Sequence, residues 1–124
     1  MVPNAWFGGS PNTLSKKMVA EYIAKYHGTA SGINADVAEA YSVGEVLTQA
    51  VKATNSLSNS KIISYLHSGV TLQSVQGPVK FNAVGENLAA TAFVFQWQKN
   101  NFVQVLPAGT GSVPVQFPKA NWGK

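Results

Sequence analysis

"GPVKFNAVGEN" (Gly77–Asn87) and "FVFQWQKNNFVQVLP" (Phe93–Pro107) decide the fold class of this chain. Gly77-Pro78 interrupts any helix. Val79 and Phe81 then alternate with Lys80. Phe93, Phe95 and Trp97 alternate with Val94, Gln96 and Gln98, the two-residue period of a strand. Lys99-Asn100-Asn101 supplies a turn in which asparagine tolerates positive φ. Phe102 to Leu106 returns as a second strand. The aromatic alternation reads as one buried face of a hairpin; a stacking platform for bases or sugars is the sharper reading of the same residues. The tail from Pro107 to Lys124 is rich in Gly and Pro and carries no regular pattern.

Upstream, three stretches read as helices. "SPNTLSKKMVAEYIAKYHG" has Ser10 as a cap and Pro11 in the first turn. Leu14, Met18, Tyr22 and Tyr26 recur every four residues, and Gly28 closes the helix in a left-handed conformation. "NADVAEAYSVGEVLTQAVKAT" is the strongest helix. Asp36 and Glu39 stand at capping-box spacing. Ser42, Glu45, Gln49 and Lys52 share a polar face, and apolar residues from Val37 to Val51 cover the rest. So broad an apolar surface requires cover on more than one side. Ala40 and Gly44 would let another element approach closely. "SNSKIISYLHS" is a short third helix capped by Ser58 or Ser60, with Ile62, Ile63 and Leu66 inward and Gly69 at its end. The pattern divides at residue 77, with a helical part over 1–76 and a hairpin and tail over 77–124. No internal repeat is present.

Composition sets outer limits. A chain of 124 residues is the size of one small domain. With 45% hydrophobic and 11% charged residues it can bury a core. The net charge of +4 rests on nine scattered lysines and no arginine, which argues against nucleic acid, whose binding needs clustered cations. The absence of cysteine excludes disulfides, thiolate catalysis and cysteine metal sites. "MVPNAWFGGSPN" lacks the basic and apolar regions of a signal peptide, and Met1 precedes what reads as mid-loop, as an internal start would.

Chemistry-bearing motifs are sparse. His27 and His67 each end a predicted helix, where the dipole favours positive charge, and neither has a second ligand at metal spacing. "GTASG" (Gly28–Gly32) lacks the frame of a nucleophile elbow, and "GTGS" (Gly109–Ser112) follows no strand-to-helix transition. Asp36 and Glu39 look paired, but a capping box explains the spacing without chemistry. No enzyme, metal or cofactor is expected.

The order of these segments resembles one family. In the periplasmic solute-binding proteins of the leucine/isoleucine/valine-binding type, a tyrosine-bearing helix leads to a short helix. A Gly-Pro-x-x-Phe-(Asp/Asn)-x-x-Gly-x-Asn segment, a hairpin containing Gln-Trp and a proline-rich end follow. Gly77, Pro78, Phe81, Asn82, Gly85, Asn87, Gln96, Trp97 and Pro107 fill that pattern, and "AWFGGSPN" with "VAEYIAKYHG" fits the element upstream. The hairpin turn, often Asp-Gly in the family, is Lys99-Asn100-Asn101 here.

The resemblance implies an α/β fold: the C-terminal portion of a two-lobed type I periplasmic-binding-protein fold. It comprises about three helices followed by a β-hairpin, completed by missing sequence or by another copy. It implies a crossover between lobes around Gly77 to Phe81, a periplasmic location, an ABC permease as partner and no chemistry on the ligand. The expected ligand is an amino acid or a related carboxylate, aromatic acids included. Trp6 follows a position where the family chain crosses between lobes, and Asp36 matches a position that touches the ligand side chain. An oligomeric interaction module derived from that family, without ligand binding, is the alternative.

Overall fold

A computed structural model describes residues 2–4, 6–109 and 111–118. The residues sort into two compact units, one over 6–91 and one holding 2–4 with 92–118. By pattern the sequence divides at residue 77; by contact, residues 77–91 stay with the helices, because Gly77–Val79 pairs with a strand inside that unit.

The first unit contains α1 (Thr13–Tyr26), a 3-10 turn (Ala30–Gly32), α2 (Ala35–Thr54) and α3 (Asn59–Leu66). Helix α1 starts later than Ser10-Pro11 suggests. Asn12 is the cap, and its Oδ1 accepts from the amides of Leu14 (2.8 Å) and Ser15 (3.4 Å). Ser10 Oγ instead accepts from the Asn12 amide. At the far end His27 itself takes positive φ (63°), one residue before Gly28 (114°). The expected stripe holds at Met18, which is buried, and fades at Tyr26, which is 58% exposed.

Helix α2 is capped by Asn34, whose side chain accepts from the Asp36 amide at 3.1 Å. The capping box expected from Asp36 and Glu39 is therefore displaced: an earlier oxygen takes the orphan amide, and Asp36 sits within the first turn. The helix ends at Asn55 in the left-handed conformation (φ 45°). In α3, Ile62 is buried as expected, whereas Ile63 is 52% exposed.

A short hairpin follows. Strands β2 (Leu72–Ser74) and β3 (Gly77–Val79) pair antiparallel, Leu72 opposite Val79 and Ser74 opposite Gly77. Strand β2 is too short to show a period in the sequence. Gly77 turns back at φ 116°. Ser74 Oγ accepts from Gln76 N and donates to Gly77 O, tightening the turn. The rest of the opening motif folds on itself. Asn82 Oδ1 accepts from Val84 N and Glu86 N, and Asn87 Oδ1 accepts from Lys80 N and Ala89 N. Gly85, at φ 87°, lies inside this loop. The asparagines and the glycine of the motif thus serve the backbone directly.

The core of this unit gathers Trp6, Met18, Val19, Ile33, Ala38 and Val75. Gly8 lies against it so closely that a Cβ there would overlap the Ala30 carbonyl.

The second unit is an antiparallel sheet in the order β1 (Val2–Asn4), β4 (Phe93–Gln98), β5 (Asn101–Leu106). The β4–β5 hairpin is as the alternation predicts, with a two-residue loop. Lys99 (φ 50°) and Asn100 (φ 63°) both take positive φ, the geometry that matches strand twist. Asn101 already belongs to β5. Phe95 is fully buried and stacks on Phe102 at 4.8 Å between centroids, but Trp97 is 58% exposed. The aromatic face is thus buried only at its middle. The tail attaches through glutamine amides: Gln96 exchanges two hydrogen bonds with the Gln116 backbone, and Gln98 Nε2 donates to Pro114 O.

Candidate functional site

Helix α2 carries the features of interest in the first unit, and its two faces behave unlike their polarity. Ser42, Glu45 and Gln49, expected on a polar face, turn toward protein. Ser42 is buried and donates to Ala38 O. Glu45 Oε2 accepts from Val75 N at 2.7 Å. Gln49 donates to Gln73 O at 2.8 Å and accepts from Gln73 N at 3.1 Å. The helix thereby binds the backbone of β2 and the turn after it through side chains. Burial raises the pKa of Glu45 above its ordinary value of 4.5, and the Val75 hydrogen bond opposes that shift.

Part of the apolar side is open, although Ala38 and Ala50 are fully buried. Tyr41, Val43 and Leu47 are 42%, 68% and 49% exposed, and a Cβ at Gly44 would meet nothing within 4 Å. Two grooves flank the helix. One, of about 710 Å³, is bounded by Leu14, Tyr41, Glu45 and Thr48. The other, of about 350 Å³, is apolar and is bounded by Val43, Leu47, Leu66, Val79 and Phe81.

The two residues singled out from the sequence lie at opposite extremes of exposure. Trp6 is 2% exposed and donates from Nε1 to Ser15 Oγ at 2.8 Å, inside the core. Asp36 is exposed on the first turn of α2. Trp6 belongs to the core cluster against which Ala35 and Val37, the sequence neighbours of Asp36, pack. Tyr41, Glu45 and Gln49 were not picked out. Their four-residue spacing is the available signal; polarity instead assigns Glu45 and Gln49 to the polar face and Tyr41 to the apolar one. His27 and His67 end their helices as expected. Among the described residues no cluster of potential metal ligands occurs, and no helix is long and apolar enough to cross a membrane.

This arrangement of helices and antiparallel strands is found elsewhere. The chain shares its fold with part of a solute-binding protein. That protein, the solute-binding component of an ABC transporter from R. palustris, was solved in complex with benzoate. The match has a TM-score of 0.64 at 16% sequence identity and covers 83% of this chain. The chain spans 28% of the length of that structure. No protein-family profile and no curated protein sequence matches.

Proposed function

We propose that this chain is a C-terminal portion of the ligand-binding component of an ABC importer, acting in the periplasm beside a membrane permease. The fold likeness to a solute-binding protein over 83% of the chain carries this reading, and the motif order from Gly77 to Pro107 supports it independently. The ligand class is an amino acid or a related carboxylate, captured by closure of two lobes without chemistry. The benzoate held by the R. palustris protein favours aromatic acids within that class. Asp36, exposed on the first turn of α2, contacts the ligand in this reading; Trp6, buried against Ser15, shapes the wall behind it.

Calorimetric titration with amino acids and aromatic acids tests the proposal, applied to this chain and to the product of the whole coding sequence around it. The whole product should bind one member at micromolar Kd or better, about −8 kcal/mol. Failure across the panel overturns the reading.

The exposure of Tyr41, Val43 and Leu47 on α2 favours a second reading, an oligomeric interaction module. Light scattering decides it: a monodisperse species of 13.1 kDa that binds no partner rules it out.

A further inference from the structure

We propose that the larger groove beside α2 binds an organic ammonium ion, with the Glu45 carboxylate as counter-charge and the Tyr41 ring as one wall. Its volume of about 710 Å³ is that of a small-molecule site. Glu45 is the one charged residue that lines it. Its Oε2 is tied to the amide of Val75, a fully buried core residue, so the carboxylate is held on a rigid base. One amide leaves most of the acceptor capacity of a carboxylate unused. Among the described residues the single ion pair is Lys17–Glu21, so Glu45 has no cationic partner among them.

The surroundings select the ligand. The Gln49 amide is already committed to the Gln73 backbone. The remaining polar side-chain atoms that line the groove belong to Thr48, Tyr41, the Gln73 amide and the second oxygen of Glu45, while Leu14 and Ala40 supply apolar wall. The Tyr41 ring offers a π-face to a cation. Burial disfavours the Glu45 anion, and a cation entering the groove relieves that penalty. Among the described residues no lysine lines the groove, so a carboxylate such as benzoate finds no counter-charge from them. The site lies within residues 6–91 and needs no second lobe, so it stands or falls separately from the importer reading.

The test is a titration of the full chain with phenethylammonium, followed by amide resonances in NMR spectra. Saturable shifts are expected at Tyr41, Gly44 and Thr48, and none with benzoate or phenethyl alcohol. Glu45→Gln keeps an acceptor for Val75 and should weaken binding at least tenfold with an unchanged circular dichroism spectrum. Tyr41→Leu, at an exposed position, should weaken it about threefold. Equal binding of phenethyl alcohol, unchanged affinity in either variant, or no saturation at millimolar ligand overturns the proposal.

Discussion

Glu45 Oε2 and the backbone nitrogen of Val75 lie 2.7 Å apart across 30 residues of sequence, joining the middle of α2 to the turn between β2 and β3. Val75 is fully buried with Glu45 in place, so removing the acceptor leaves its N–H without that partner. Glu45→Ala should therefore cost about 1–3 kcal/mol, the penalty for an unsatisfied buried donor. Glu45→Gln retains an acceptor and sheds the desolvated charge, so it should equal or exceed the parent chain at neutral pH. Urea unfolding followed by circular dichroism measures both.

The same carboxylate sets a pH dependence. Its folded pKa is raised, chiefly by burial. The folded chain thus holds this proton to higher pH than the unfolded chain. The resulting stabilisation is fully present below the ordinary value of 4.5 and is lost as pH rises through the folded value. Unfolding free energies of the parent chain, minus those of Glu45→Gln, should fall as pH rises above the ordinary value of 4.5. A flat or rising difference contradicts the assignment.

Trp6 Nε1 donates to Ser15 Oγ at 2.8 Å with both side chains buried. Trp6→Phe leaves the serine oxygen unpartnered by the indole and should lose about 1–3 kcal/mol. Adding Ser15→Ala should cost less than it does in the parent chain, because the bond is already gone. A double-mutant cycle in urea reads the coupling, and additive costs would mean that the bond is not formed.

Asn12 does two jobs. Its Oδ1 caps α1, and its Nδ2 donates to Ser74 O at 2.9 Å, tying the helix start to the end of β2. Asn12→Asp keeps the cap and loses the tie; Asn12→Ala loses both. The alanine variant should cost about 1–2 kcal/mol and the aspartate variant less. Equal losses in the two thermal melts would show that the cap contributes nothing.

At the β4–β5 loop, Lys99 and Asn100 both hold positive φ. Lysine carries a Cβ penalty there of about 1–2 kcal/mol that glycine and asparagine escape in part or whole. The pair Lys99→Asn with Asn100→Gly should stabilise the hairpin. Slower amide hydrogen exchange at Phe102 and Gln104, without loss elsewhere, is the expected readout.

Much of this architecture was legible in the residues. The three helices, the strand alternation from Phe93 and the turn at Lys99-Asn100 follow from local rules, because periodicity and positive-φ tolerance act within a few residues. Cap identity at Asn12 and Asn34 was not legible. Several nearby oxygens compete for the same amides, and the three-dimensional path of the preceding loop selects one. The site was less readable than the fold. Trp6 and Asp36 came from resemblance, and the structure places one in the core and the other on the surface.

By itself the sequence determined the three helices, the β4–β5 hairpin and the lack of cysteine and arginine chemistry. Only the tertiary structure decided which face of α2 turns inward. Side-chain polarity predicted Ser42, Glu45 and Gln49 outside and the valines inside. Instead the polar groups turn to β2 and its turn, whose backbone groups must be hydrogen-bonded once buried, and Tyr41, Val43 and Leu47 remain exposed. Backbone hydrogen bonding is a demand of the neighbouring strand, and no pattern along the helix itself records it.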